Sequence, residues 1–147
     1  ASEDGRYLIN NGVLLSYAPG NDATEFTIPS EVTKIGYGAF YRCSNLQSIT
    51  LHNNLTIIDD HAFQRCSSIT SITIPDSVVS IGMYAFDYCS SLVDVDLGDG
   101  VLNIGACAFY GCGSIETITI PESVINLGGD VFGSSSSKLK TVYCLET

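Results

Sequence analysis

The stretch that decides the fold is I-T-I-P-D-S-V-V-S-I-G-M-Y-A-F-D-Y-C, residues 72–89, because most of it returns at a fixed interval. Phenylalanine recurs every 23 residues, at Phe40, Phe63, Phe86, Phe109 and Phe132. Alanine precedes the first four of these, and cysteine follows three residues later at Cys43, Cys66, Cys89 and Cys112. Self-similarity at a fixed period of this length indicates a solenoid. The units are roughly 26–48, 49–71, 72–94, 95–117 and 118–141.

Within one unit the spacing of the apolar residues changes. Ile49 and Leu51 alternate with polar residues, which predicts a short strand with both side chains inward. After the turn at Gly36, Ala39, Phe40 and Cys43 follow at helical spacing, which predicts at least one turn of helix. No unit can bury this surface alone, so neighbouring units must stack. The pattern predicts a right-handed solenoid of parallel strands about 4.8 Å apart.

Residues 1–25 do not follow the 23-residue period. Two apolar runs, 7–9 and 13–15, flank Asn11-Gly12, and Asn-Gly between such runs is a strong hairpin signal. We therefore predict an N-terminal β-hairpin over 1–25 that caps the first edge of the stack. We expect residues 26–147 to form the solenoid of five units plus a terminal strand, and the whole chain to be one domain.

The repeat L-x-x-I-x-L-P-x-x-V-x-x-I-G-x-x-A-F-x-x-C-x-x-L resembles the BspA-like class of leucine-rich repeats. The resemblance covers 26–141, with departures at His52, Asp59 and Gly98 and in the irregular fifth unit. It implies a leucine-rich-repeat solenoid with parallel strands on the concave face and short helical coils on the convex face. It also implies a secreted or cell-surface protein of a bacterium or protist, often one that adheres to host matrix or other cells. The family offers no shared catalytic residues.

The composition excludes several classes of function. Six Lys and Arg residues against sixteen Asp and Glu residues give a formal net charge of −10. Nucleic-acid binders need a basic face, so this balance disfavours them, and it also disfavours binding to anionic membranes. No apolar run approaches the roughly 20 residues of a membrane span. A cationic protein partner suits the charge.

The segment V-D-V-D-L-G-D-G, residues 93–100, resembles the start of a calcium loop. An EF-hand beginning at Asp94 needs Glu at position 105, where this chain has Gly105, so that interpretation fails. Stacking places five acidic residues along the strand face and its rim, namely Asp76, Asp94, Asp96, Asp99 and Glu122. Two interpretations remain open: a solvated acidic edge, or a patch for a basic partner or a weakly held surface calcium ion.

Five tyrosines occupy outward positions between the turn glycine and the cysteine of their units: Tyr37, Tyr41, Tyr84, Tyr88 and Tyr110. Tyrosine offers a large contact area at low entropic cost, which makes this a second candidate binding surface. The alternative is that these rings lie flat and shield the stack.

The cysteines and histidines do not form a recognisable chemical site. A spacing of 23 residues in an apolar column favours buried free thiols over disulfides or a metal site. Cys107 falls in an outward position and Cys144 in an inward strand position, whereas His52 and His61 should face different sides, so no shared metal is predicted.

The sequence thus predicts a non-enzymatic module without a cofactor, which recognises a host-matrix or cell-surface protein. The alternative is a structural spacer or accessory domain of a larger protein.

Overall fold

Every repeat unit contributes two short strands and forms one turn of the solenoid, here called a coil. The chain is a stack of such coils, built almost wholly from β-strands and turns. The computed structural model describes residues 5–18, 22–134 and 138–144. The strands are β1 (Tyr7–Asn10), β2 (Val13–Tyr17), β3 (Glu25–Thr27), β4 (Lys34–Ile35), β5 (Ser48–Thr50), β6 (Ile57–Ile58), β7 (Ser71–Thr73), β8 (Ser80–Ile81), β9 (Asp94–Asp96), β10 (Asn103–Ile104), β11 (Thr117–Ile120), β12 (Asn126–Leu127) and β13 (Thr141–Cys144).

The longest sheet has seven strands in the order β1-β2-β4-β6-β8-β10-β12. β1 and β2 pair antiparallel around Asn11 and Gly12, whose φ angles of 48° and 75° suit a tight primed turn. β2 then pairs parallel with β4, so this hairpin lies against the first repeat. Each later pairing advances by one repeat, for example Lys34 with Ile57 and Ile57 with Ser80.

The remaining strands of the repeats, β3, β5, β7, β9 and β11, follow one another along the stack. Their exposed side chains are here called the strand face. Its backbone hydrogen bonding is interrupted, since the sheets are the pairs β3-β5, β7-β9 and β11-β13. Both interruptions fall before a strand that leads into proline, Pro75 after β7 and Pro121 after β11. A proline has no N–H and cannot donate to a neighbouring strand, so each of these prolines removes one donor at the interrupted interface.

The predicted short helices are wrong. The segments from turn glycine to cysteine, here called the coil segments (36–43, 59–66, 82–89, 105–112 and 128–134), contain turns and no helix. Two positions in each adopt left-handed backbone angles, for example His61 at φ 58° and Arg65 at φ 62°, which a right-handed helix does not tolerate. The N–H groups alternate: Ala39 donates to Gly36 within its segment, whereas Phe40 donates to Ala62 of the next coil at 2.8 Å.

The core consists of ladders of identical residues. The rings of Phe40, Phe63, Phe86 and Phe109 are fully buried and stack nearly parallel, with centroids 4.9–5.1 Å apart. The four ladder cysteines are buried free thiols, as the spacing predicted. Three of them donate to the phenylalanine carbonyl of the preceding coil, as in Cys89 Sγ to Phe63 O at 3.2 Å. Cys144 is exposed, contrary to its predicted inward position, because no coil in the described part of the chain packs beyond β13.

Candidate recognition surfaces

The strand face is a regular array of exposed polar side chains. Strands β5, β7, β9 and β11 each present two of them around a buried or half-buried residue: Ser48 and Thr50, Ser71 and Thr73, Asp94 and Asp96, Thr117 and Thr119. The two aspartates therefore occupy the positions that serine or threonine holds in β5, β7 and β11, and that Glu25 and Thr27 hold in β3. This alternation was predictable from the period-2 pattern of the strands.

An open depression of about 430 Å³ lies where the hydrogen bonding between β9 and β11 is interrupted. Asp94, Asp96 and Asp99 line it together with Thr117 and Thr119. Asp76 and Glu122, the other two residues of the predicted acidic patch, are exposed but do not line the depression. The structure thus brings three of the five carboxylates around one concavity.

The glycines of the 93–100 segment have a packing role. A Cβ on Gly100 would overlap the carbonyl oxygen of Asp76, and one on Gly98 would lie 2.6 Å from the carbonyl oxygen of Ile74. The Asp76 carboxylate also accepts a hydrogen bond from the Asp99 N–H at 2.9 Å. Close approach of two coils therefore explains the two glycines of this segment. Among the described residues, no three His, Cys, Asp or Glu side chains are placed so that they could hold a metal ion.

The five predicted tyrosines do not form one uniform surface. Tyr37, Tyr41 and Tyr88 are exposed, Tyr37 to 69%, whereas Tyr84 and Tyr110 are half-buried. Guanidinium groups lie over two of the exposed rings, Arg42 over Tyr41 at 5.3 Å and Arg65 over Tyr88 at 5.5 Å.

Cys107 is half-buried and its thiol contacts a tyrosine hydroxyl. A hydrogen bond with this thiol raises the pKa of Tyr84. In the core, contact with the Cys43 thiol and desolvation raise the pKa of Cys66, so that thiol stays protonated in the native protein.

The two histidines make different kinds of contact. The His52 ring bridges two coils, because its Nε2 donates to Pro29 O at 2.9 Å and its Nδ1 accepts the Asn54 N–H at 3.2 Å. Both nitrogens of His52 are therefore engaged in structure. The His61 ring lies between the rings of Tyr37 and Tyr84, with centroids 5.1 Å away on either side.

A hydrogen-bonded chain behind His61 was not predicted from the sequence. His61 Nδ1 lies 2.8 Å from Gln64 Oε1, and Gln64 Nε2 donates to Asp87 Oδ2 at 2.6 Å. Asp87 is the one buried charged residue in the described part of the chain, only 4% exposed. The available signal was positional, since Gln64 and Asp87 occupy the place that Tyr41 and Tyr110 hold in other units.

Stacked parallel strands, turn-connected coils and ladders of core residues at a 23-residue interval define a leucine-rich-repeat solenoid. The pattern of the BspA type leucine rich repeat region matches residues 17–140 in six copies. The chain belongs to this family. Among the described residues, no helix has the length and apolarity needed to cross a membrane. No protein of curated function matches the sequence.

Solved structures with the same fold come from several bacteria. A leucine rich repeat protein of T. pallidum is 26% identical, with a TM-score of 0.85 over 92% of this chain and 66% of its own. The pneumococcal vaccine antigen PcpA is 28% identical, with a TM-score of 0.76 over 90% of this chain and 34% of its own. A leucine rich cell surface protein of Faecalibacterium prausnitzii is 25% identical, with a TM-score of 0.63 over 96% of this chain and 53% of its own. The chain therefore spans between about a third and two thirds of these proteins.

Proposed function

We propose that this chain is a non-enzymatic protein-recognition module of a secreted or cell-surface protein, and that it acts in adhesion through its strand face. The observation on which this rests is the depression between β9 and β11, where three carboxylates line one concavity, whereas β5, β7 and β11 present only neutral serine and threonine side chains. Two structurally similar proteins described as a vaccine antigen and a cell surface protein support the location.

The electrostatics favour a basic partner. Asp94, Asp96 and Asp99 have no salt bridge to a described residue, because the two ion pairs of that part of the chain are Lys34–Asp59 and Lys140–Glu116. Exposed, unpaired charges of one sign raise the rate of encounter with an oppositely charged surface. Their attraction is screened over about 8 Å in physiological salt, so binding should weaken as salt rises.

The test is a triple variant, Asp94→Asn, Asp96→Asn and Asp99→Asn, that removes the charge and keeps the shape. Association would be measured against a panel of extracellular matrix and host-surface proteins, with and without calcium and at two salt concentrations. We expect the association rate to fall several-fold more than the dissociation rate rises, because exposed charges act mainly on encounter.

The control is Glu31→Gln, an exposed carboxylate of the first repeat that does not line the depression. Unchanged binding by the triple variant, with a raised melting temperature from relieved repulsion, would contradict recognition through this face. A chain that binds nothing on the panel in any form would favour the alternative, a structural spacer within a larger protein.

A further inference from the structure

A second concavity lies on the coil segments of the first two repeats, separate from the strand face. It is open, has a volume of about 350 Å³ and is lined by Tyr37, Gly38, Tyr41, His61 and Gln64. This volume falls at the lower end of the range of small-ligand sites. Its lining includes two exposed tyrosine rings and an imidazole ring.

The hydrogen-bonded chain behind this concavity fixes the tautomer of His61. A carboxylate only accepts hydrogen bonds, so the Gln64 group facing Asp87 must be the amide nitrogen, 2.6 Å away. The amide oxygen of Gln64 then faces His61 at 2.8 Å, and Nδ1 of His61 must carry the proton. In the neutral ring Nε2 is therefore left with its lone pair, as a hydrogen-bond acceptor.

The hydrogen-bonded series that starts at His61 ends at Asp87, a buried carboxylate without a compensating cation. Asp87 is 4% exposed, its Oδ1 has no hydrogen-bond partner among the described residues, and neither ion pair of that region involves it. A buried carboxylate is costly unless it is paired, and its field is poorly screened by water. Acceptor lone pair, electron-rich rings and buried negative charge all favour a cationic guest that donates hydrogen bonds.

We propose that this concavity, here called the Tyr37–His61 site, binds a guanidinium group. A planar guanidinium can stack on a tyrosine ring while an N–H donates to His61 Nε2. The coil segments already show this contact twice within the chain, at Arg42 over Tyr41 and Arg65 over Tyr88. The guanidinium can come from an arginine side chain of a protein or from a small guanidino compound, which the experiment distinguishes.

Arg42 provides a test of the sign of the charge on the guest. Its guanidinium lies 5.3 Å from the centre of the Tyr41 ring, so it places a positive charge beside the site and occupies one ring face. Arg42→Ala should tighten binding of a cationic guest about twofold or more, because it removes both the repulsion and the competitor. An anionic guest would instead lose affinity in the same variant.

The experiment is a nuclear magnetic resonance titration of the whole chain at pH 8, where imidazoles are neutral. The probes are agmatine, the capped tripeptide acetyl-Gly-Arg-Gly-amide and its uncharged counterpart with citrulline. A guest of this size should bind on the order of 1 mM, with shifts centred on Tyr37 and His61. Tighter binding of the tripeptide than of agmatine assigns the site to protein arginine, and the reverse order assigns it to a small compound.

Three variants test the parts of the site separately. Tyr37→Ala removes an exposed wall and should weaken binding about threefold or more. His61→Gly removes the acceptor at a left-handed position that Gly38 fills in the first repeat, and should weaken binding about as much. Asp87→Asn keeps an acceptor for Gln64 and removes only the charge, so it should weaken binding about threefold.

The control is Tyr143→Ala, an exposed tyrosine of β13 outside the site, which should bind the tripeptide like the parent chain. Each variant would first be checked by its thermal melting curve. Equal binding of the arginine and citrulline peptides, stronger binding of a neutral sugar such as glucose, or weaker binding in Arg42→Ala would each overturn the proposal.

Discussion

Truncating one ring in the phenylalanine ladder should cost much more in the middle of the stack than at its end. Phe86 is fully buried between Phe63 and Phe109, each 5.1 Å away between ring centroids. Phe86→Ala removes a whole buried ring and two stacked pairs, in a site whose coils cannot collapse because the 23-residue register holds them. We expect a loss of about 3–5 kcal/mol in the free energy of unfolding.

Phe132 provides the comparison. Its ring is only partly buried and has one ring neighbour, Phe109, at 6.0 Å. Phe132→Ala therefore loses less buried area and one aromatic pair, and we expect about 1–2 kcal/mol. For a chain of this size the two variants should differ in melting temperature by roughly 5–10 °C.

The assay is equilibrium urea unfolding followed by circular dichroism, with thermal melts in parallel. Stacked repeats contact only their neighbours, so an end coil can unfold before the rest and lower the apparent m-value. The m-value must therefore be compared before the free energies are. Equal destabilisation by Phe86→Ala and Phe132→Ala, at equal m-values, would refute the argument that energy follows the number of stacked neighbours.

Two further predictions concern the ladders and the close approach of coils. The four buried cysteines should resist a thiol reagent in the native protein and react after unfolding, whereas Cys144 should react at once; native disulfides among the four would contradict this. Gly100→Ala should cost about 2–3 kcal/mol because its Cβ would overlap the Asp76 carbonyl, whereas Gly113→Ala, with no atom within 4 Å of its Cβ, should cost almost nothing. Equal urea midpoints for the two alanine variants would show that the coils can separate freely.

The sequence predicted the ladders of this fold well and its coil segments poorly. A strict period places Phe86 and Cys89 beside their counterparts whatever the local conformation, so burial followed directly from the spacing. The spacing of Ala39, Phe40 and Cys43 fits one turn of helix, but consecutive turns produce the same inward positions. The deciding fact is the backbone partner: Phe40 donates to Ala62 in the next coil, and single-sequence periodicity does not report that.

The two candidate sites also differ in how far the sequence predicted them. The acidic strand positions Asp94 and Asp96 followed from alternation, because strand side chains have only two faces. The hydrogen bonds from His61 through Gln64 to Asp87 could not be predicted from the sequence pattern, because Asp87 is buried in a position where Tyr41 is exposed. A repeat pattern predicts which residues share a column, but the burial of each depends on the sizes of its neighbours.

Proline usage links the sequence to the shape of the strand face. Ile28 and Ile74 each donate to the following coil, to Thr50 O and Asp96 O, so the first coil bonds to the second and the third to the fourth. At the next interface in each case the following coil has proline after its strand, and the strands of the strand face are not paired there. One such interface, before Pro121, holds the depression lined by aspartates; the other, before Pro75, holds a depression of about 380 Å³ lined by serine and threonine. Both concavities thus lie at interfaces without strand pairing that precede a proline, and different side chains line them. Their positions coincide with proline in alternate units, whereas their binding preferences depend on the two residues that flank each inward strand position.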